Sequence, residues 1–590
     1  MKTMNKIQLV LLGLAVLVLG SCSDKWLDRE PIASTMSDPQ YQKLPDKLEG
    51  ALLGVYSMLY TYSGHDAFSK RSIDMYGDLL SGDMALTSKT YGWFYTDERQ
   101  ETRAERSGYM WSLYYRMMAN INATIYSIKE ETPLLDAVAA YGLPNDGLMV
   151  IGVDGDTLYT FTESEAKMAG CYAQALTLRG YIYGELTRLY CPTMSHVYYT
   201  GNTPTGLYIT TYAAFPLYNE DNYKEVQPMA MLSEVYDQVE GDLETAIAYF
   251  DAFKSGITRD NKLMVDINVA RGVLAYSCIN KALLHVDYDE TMPLVKEPMT
   301  KALQYAEDVI SSGEYRIIPN EKLTTTGFNN VEEESWMWGE DVTVETSTGL
   351  GSFFGQVDIH SYSYAWSGDT KVIDKELYDR IPSWDGRKKW FNDGSKNATF
   401  KLCPDGKFFS EKFKASNLST RADDIDREWL SDNVFMRIES MYLIAAEAAY
   451  FLHDQGKAVM YLDAILSERL NLDDPNAVAD FAAFNATLND RTAFIQELYR
   501  NWRLEMWGEG YGLQTFRRLS YLYKDDTHAE LNKVYRGANH LYNPSKPIDY
   551  SDETIYTMNI PASELNYNPY MQDDESPISL AAGMSTMRKK

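Results

Sequence analysis

Apolar residues recur at helical spacing over much of the chain. From Leu48 to Tyr62 (LEGALLGVYSMLYTY) and again from Trp111 to Ile128 they fall three and four apart, which predicts two amphipathic helices. The clearest pattern runs from Met168 to Tyr190, where Ala175, Leu178, Ile182, Leu186 and Leu189 form one stripe. Ala173, Gly180 and Gly184 let a neighbouring helix come close, and Cys191-Pro192 ends the segment. Two later stretches predict helix, turn, helix: Val269 to Leu284 with Met299 to Ser311, and Val434 to Phe451 with Lys457 to Leu466. Gly313 closes the first pair and Gly456 marks the turn of the second. Small residues such as Ala302, Ala306, Ala445, Ala449 and Ala458 sit at the crossing points, as in tetratricopeptide units. The roughly 34-residue period of such repeats is not cleanly kept, and irregular helical packing accounts for the pattern equally well.

Between these pairs the helical period lapses. From Ile317 to Asp432 the chain is rich in Gly, Ser, Thr, Asn and aromatic residues. So long a stretch predicts functional loops or short strands laid on a helical scaffold, with Val342-Thr343-Val344 a candidate strand. Leu148 to Phe161, with Asp154-Gly155-Asp156 at its centre, predicts a β-hairpin; the downstream ligands of an EF-hand loop are missing.

The N-terminus has a different pattern. Lys2 and Lys6 precede an apolar run from Leu9 to Leu19, then Gly20-Ser21-Cys22 and the polar Ser23-Asp24-Lys25. This is the layout of a secretory signal, and the run is too short for a bilayer span of about 20 residues. Small residues before a cysteine predict a lipobox, with residues 1–21 removed and Cys22 the acylated mature N-terminus; ordinary cleavage beside an incidental cysteine is the alternative. The formal net charge of −29 is dispersed, and no basic block occurs, which argues against nucleic acid and anionic headgroups as partners. Cys171, Cys191, Cys278 and Cys403 show no disulfide spacing, and Cys171 and Cys278 lie in helical patterns as small apolar residues.

Catalytic motifs are missing: the chain has no H-E-x-x-H, G-x-S-x-G, Walker loop or C-x-x-C. Gly349-Leu350-Gly351-Ser352 lacks the context and third glycine of a pyrophosphate loop, and the seven histidines form no i, i+4 pair. No metal site or cofactor is expected, and Asp423, Asp424 and Asp426 are read as a solvated loop before a calcium site. Acid pairs such as those in Glu332-Glu333-Glu334 leave a glycosidase open, since sequence does not give their separation in space.

Aromatic residues are the more informative feature, at 13% of the chain with 45 tyrosines. Several cluster outside any helical period: Tyr91-Gly92-Trp93-Phe94-Tyr95, Trp336-Met337-Trp338, and Tyr362, Tyr364 and Trp366. The apolar face of a pyranose packs on such rings while its rim hydroxyls seek polar side chains, and the same rings suit peptides. Packing of the rings against the helical core competes with both readings.

Several segments, in order along the chain, resemble the SusD/RagB family of Bacteroidetes lipoproteins. These are Cys22-Ser23-Asp24-Lys25-Trp26-Leu27-Asp28, Ala175 to Tyr183 with Arg179, Asp385-Gly386-Arg387 before Trp390 and Phe391, and Arg437-Ile438-Glu439 through Ala446-Glu447-Ala448. Ile560-Pro561-Ala562-Ser563-Glu564 and Asn568-Pro569 extend the match to the tail. Glu505 to Arg518 keeps Glu509-Gly510 and Arg518 of a family helix but has Gly512 for Arg and Thr515 for Asp, which weakens a presumed structural ion pair.

The resemblance implies a mainly α, SusD-like fold with four tetratricopeptide-like helix pairs and a loop-rich ligand-binding region with short strands. After the signal peptide (1–21) it forms one domain, 22–290 and 291–590 being its two halves. It implies a non-catalytic, surface-exposed outer-membrane lipoprotein that hands oligosaccharide to a SusC-like TonB-dependent transporter. Capture of peptides is the runner-up, followed by a surface glycosidase and a purely structural adaptor. Family binding regions carry over as Arg71 to Tyr95 and Glu332 to Trp366. Within them Trp93, Tyr95, Trp336, Trp338, Tyr364 and Trp366 are the expected stacking platforms, and Asp83, Asp74 and Arg71 the expected hydroxyl partners.

Overall fold

Eight helices, each packed on the next in chain order, form the scaffold among the described residues. In the computed structural model these are α3 (Ala104–Glu131), α4 (Glu163–Tyr190), α5 (Leu232–Ala252), α6 (Ile267–Ala282), α7 (Pro293–Ser311), α8 (Ile438–Phe451), α9 (Gln455–Leu466) and α10 (Arg491–Glu505). Two more precede them, α1 (Pro45–Ser57) and α2 (Ser69–Ser81). The structure describes residues 45–571 except 96–103, 192–212, 283–292, 393–407, 416–428, 521–535, 546–555 and nine single positions (89, 90, 92, 255, 257, 258, 260, 361 and 543). Cys22, Cys403 and the Asp423 group lie outside the described residues. The fold is mainly α, with short strands.

The expected helices form, with ends set by capping. α4 begins five residues before Met168, where Thr162 and Glu165 make a reciprocal capping box. α1 stops at Ser57, so Tyr60 to Tyr62 leave the helix and enter a loop. Gly180 meets α5 closely: a Cβ there would stand 2.8 Å from Leu243 Cγ. The helix expected from Val434 begins only at Ile438, because Asn433–Arg437 is a strand, β10, paired with β6 (Trp336–Glu340). Val342 to Val344 is not a strand; β6 ends two residues before it. The hairpin is present, β2 (Met149–Ile151) against β3 (Thr157–Thr160), with Gly155 at φ 83 in its turn.

Two apolar cores are stacked on either side of α2, every residue of which is buried. Ile73, Tyr76 and Leu80 face the large interhelical core, whereas Met75 and Leu79 face a second core beneath the long loop-rich region. That second core gathers Phe68, Phe94, Trp336, Phe353, Phe413 and Trp507. The long region is therefore a set of loops with its own apolar underside.

One sheet determines which loops meet. β1 (Met84–Leu86), β7 (Lys371–Ile373), β9 (Phe409–Ser410) and β8 (Phe391–Asn392) lie in the order β1-β7-β9-β8. β1 and β7 are antiparallel, with Leu86 opposite Lys371. The chain leaving β1 and the chain entering β7 therefore emerge at the same end, which brings Tyr91 and Trp93–Tyr95 beside Tyr362–Thr370.

Candidate functional site

Three segments remote in sequence converge at that end of the sheet. The first links α1 to α2. Its tip is a tight turn in which the Ser63 amide donates to the Ala67 carbonyl (2.8 Å) and the Ala67 amide donates to the Gly64 carbonyl (3.0 Å). The turn presents Tyr62 and His65, with the Tyr62 hydroxyl 2.8 Å from His65 Nδ1. Beneath it, Lys371 Nζ donates to Gln356 Oε1 (2.6 Å), and Gln356 Nε2 donates to the His65 carbonyl (3.2 Å). Gly351 backs the Tyr62 ring so closely that a Cβ there would lie 2.3 Å from Cε2.

The second segment follows β1. Phe94 adopts a left-handed backbone (φ 59) and plugs into the second core under the Arg106 guanidinium, 5.1 Å from the ring centroid. A non-glycine residue held there needs a compensating contact, and the buried ring supplies it. Its neighbours Trp93 and Tyr95 stay half-buried and Tyr91 stays exposed. The third segment enters β7. The Ser363 hydroxyl donates to the Asp358 carbonyl (2.8 Å) and accepts the Trp366 amide (2.9 Å), so Tyr364 and Trp366 flank the buried Ala365.

The rings form one cluster. Tyr91 stacks on Trp93 at 4.9 Å and 10°, and Tyr364 stands edge-on to both, 4.4 Å from Trp93 and 5.1 Å from Tyr91. The His65 ring lies 4.2 Å from Trp93 and 5.1 Å from Tyr364. Tyr362 and Trp366 pair at 5.0 Å within the same turn. Tyr91 is 44% exposed and Tyr62 39%, so these two rings form the open surface of the cluster. Burial, with the Asp66 charge, raises the Tyr62 phenol; burial, with the neighbouring phenols, raises that of Tyr364. Both remain protonated hydroxyls that can donate and accept. Rings edged by hydroxyls can hold a flat, partly apolar, polyhydroxylated ligand.

Trp93, Tyr364 and Trp366 thus belong to the convergent loops, with Tyr95 half-buried against the second core. The other expected site residues do not join them. Trp336 is 0% exposed and its Nε1 donates to the Gly327 carbonyl (2.9 Å); Trp338 is 1% exposed and donates to the Leu263 carbonyl (2.8 Å). Both sit in β6, covered by α-helical and loop cores, and no ligand can stack on a ring without exposed surface. Asp74, Arg71 and Asp83 are likewise internal. Asp74 pairs with Lys70 (3.0 Å) and Arg71 (2.9 Å), Arg71 lies 3.8 Å over the Phe353 ring, and Asp83 pairs with Arg503 (2.5 Å). Asp74 pairs within α2, Arg71 donates to the Gly508 carbonyl (2.9 Å) and Asp83 ties the end of α2 to α10, so none of the three joins the ring cluster.

Sequence reasoning missed Tyr62 and His65, because the apolar period of α1 runs on through Tyr60 and Tyr62. Ser63-Gly64 was the available signal that the chain turns there. No group of three or more His, Cys, Asp or Glu side chains that could hold a metal ion occurs among the described residues.

Residues 382–575 match the SusD family model. Solved structures of the same fold cover nearly the whole chain. A SusD-like carbohydrate binding protein from Bacteroides vulgatus superimposes with a TM-score of 0.61 at 20% identity, covering 90% of this chain and 98% of its own. A SusD superfamily protein from Bacteroides thetaiotaomicron gives 0.60 at 17%, covering 89% and 98%. Surface glycan-binding protein A from Bacteroides fluxus gives 0.57 at 15%, covering 88% and 96%. No curated protein matches the chain. Residues 382–575 thus match the SusD family, and the chain as a whole shares its fold with SusD-type structures.

The motifs of the C-terminal half meet in one buried ion network. Arg387 pairs with Asp385 (2.6 Å) and Glu505 (3.1 Å), Arg437 with Glu505 (2.8 Å) and Glu509 (2.8 Å), and Arg469 with Glu439 (3.1 Å) and Glu505 (2.9 Å). Burial alone would raise the Glu505 carboxyl, but the Arg469, Arg437 and Arg387 guanidiniums hold it well below the usual carboxylate range. These motif residues are therefore structural here, tying the long loop region to α8 and α10. Gly512 marks the departure from the family pattern. Its amide donates to Asp78 Oδ1 (3.1 Å), and a Cβ would lie 2.7 Å from both Asp78 and Asp83.

Proposed function

We propose that this protein captures oligosaccharide at the bacterial surface on the rings of Tyr62, His65, Tyr91, Trp93 and Tyr364, without catalysis. It delivers the sugar to a SusC-like TonB-dependent transporter from a lipid anchor at Cys22. The observation behind this reading is the convergence of three separate loops on one half-exposed aromatic cluster edged by hydroxyls. The carbohydrate-binding and glycan-binding descriptions of two structural neighbours support the same ligand class. The anchor rests on the lipobox sequence, together with the finding that no helix among the described residues is long and apolar enough to cross a membrane.

Calorimetric titration with a panel of oligosaccharides tests the reading. At least one glycan binds, and Trp93→Ala weakens it by about tenfold, as loss of a stacking ring worth about 1.4 kcal/mol requires. Binding of peptides with no glycan bound would transfer the site to the peptide-capturing alternative.

A further inference from the structure

A second aromatic groove lies on the helical scaffold and shares no residue with the loop cluster. It has a volume of about 460 Å³, within the range of small-molecule sites. Its walls come from α3, from the loop between β4 (Ala213–Pro216) and β5 (Met229–Met231), and from the C-terminal helix α11 (Ala562–Tyr567). Trp111 lies 4.6 Å from Tyr115, and Tyr115 meets Tyr218 edge-on at 5.8 Å. Tyr223 completes the rings, held 6.0 Å from Tyr126 with the Lys224 ammonium over both.

Polar groups are interleaved with these rings. The Tyr115 hydroxyl is already committed to the Pro216 carbonyl (2.8 Å), which fixes the loop against α3. Asn122, fully buried, lines the groove. Its Oδ1 accepts from Arg179 Nη1 (2.9 Å), and Arg179 is itself locked to Asp242 by two 2.7 Å hydrogen bonds. The amide is thereby oriented, yet its Nδ2 has no hydrogen-bond partner. A buried donor left unpaired is costly, and this one lies in the groove wall beneath the accessible surface. At the edge, Arg116 is exposed and Glu564 half-exposed. With Arg116 and Lys224 on one side and Glu564 on the other, the groove carries charges of both signs.

We infer that this groove is a second saccharide-binding site, in which pyranose faces lie on Tyr218 and Tyr223 and ring hydroxyls meet Arg116 and Glu564. A mixture of donors and acceptors around partly open rings suits a neutral polyol. A peptide would be held chiefly through backbone groups, and the nearby Pro216 carbonyl is already occupied by Tyr115. α3 links the two sites: Arg106 near its start pairs with Asp66 of the first loop (3.1 Å). Tyr115 and Asn122 follow roughly 14 and 24 Å farther along the axis, at about 1.5 Å per residue. One long glycan spanning both would gain from local concentration.

The inference rests on the saccharide reading of the loop cluster, and the test separates the two. The full chain is titrated calorimetrically with hexasaccharides of α- and β-linked glucose, mannose, galactose and xylose. The expected result is two classes of site. Tyr223→Ala and Arg116→Ala each weaken one class by about tenfold and leave the other unchanged, while Trp93→Ala affects only the other. Arg116 is exposed, so its variant keeps the test valid if Tyr223→Ala disturbs folding. A single class lost with Trp93→Ala and indifferent to both groove variants overturns the second site alone. Groove variants that alter binding of unstructured peptides but of no sugar overturn its saccharide occupant. Failure of every saccharide to bind the unaltered chain removes the first reading and this one together.

Discussion

At the scale of residues, exposure separates two kinds of aromatic side chain that look alike in sequence. Trp338 donates its indole N–H internally and meets Tyr181 edge-on at 5.0 Å, whereas Trp93 lies in a loop cluster beside the exposed Tyr91. Trp338→Ala is expected to cost about 3–5 kcal/mol of stability. It should leave sugar affinity unchanged at temperatures where it is folded, as paired denaturation and titration measurements will show. Buried acids add a pH dependence. Burial and then the Asp83 charge push the Asp78 carboxyl up to about 8, despite amide hydrogen bonds from Gly508 and Gly512. Its folded value lies above the ordinary 3.8, so the native state holds more protons than the unfolded chain between about pH 4 and 8. Stability therefore falls as pH rises through that window. Glu340, at about 8, and Asp432, at about 6, act in the same direction. In urea denaturation at pH 5 and pH 8, Asp78→Asn should show a smaller loss than the unaltered chain; equal losses would refute the assignment.

At the scale of elements, the helical scaffold was legible because its period is long and its caps are local. The stripe of α4 and the glycine that meets Leu243 are both visible in the sequence. The site was legible only in part. Trp93 and Tyr364 stand out as aromatics in non-periodic sequence, but Trp336 and Trp338 look the same, and only the tertiary packing of β6 between the two cores buries them. Asp74, Arg71 and Asp83 looked available because sequence does not show that α2 lies between two cores. His65 was hidden by an apolar period that continues past the helix end. The ion network is an element-level device, since Glu505 on α10 joins residues from the loop region, β10 and the segment after α9. Glu505→Gln removes the shared carboxylate and leaves three guanidiniums facing one another. The expected loss is about 3–5 kcal/mol in chemical denaturation, because breaking a buried ion pair strands its partners.

At the scale of the whole molecule, a helical scaffold carries the surface loops whose rings form the proposed ligand site. The proposed anchor sits at the N-terminal end of the sequence, and Cys22→Ala is expected to shift the protein from the membrane fraction to the soluble fraction. Persistence of that variant in membranes lacking the transporter would count against lipidation. The central claim concerns where sugar lands. The most direct measurement is the crystal structure of the protein with the oligosaccharide that calorimetry selects. The account predicts pyranose density against Tyr91 and Tyr62 beside Trp93 and Tyr364, with hydroxyls in reach of the phenols. Density confined to sites away from residues 62–65, 91–95 and 362–366, with those rings left bare, would contradict it.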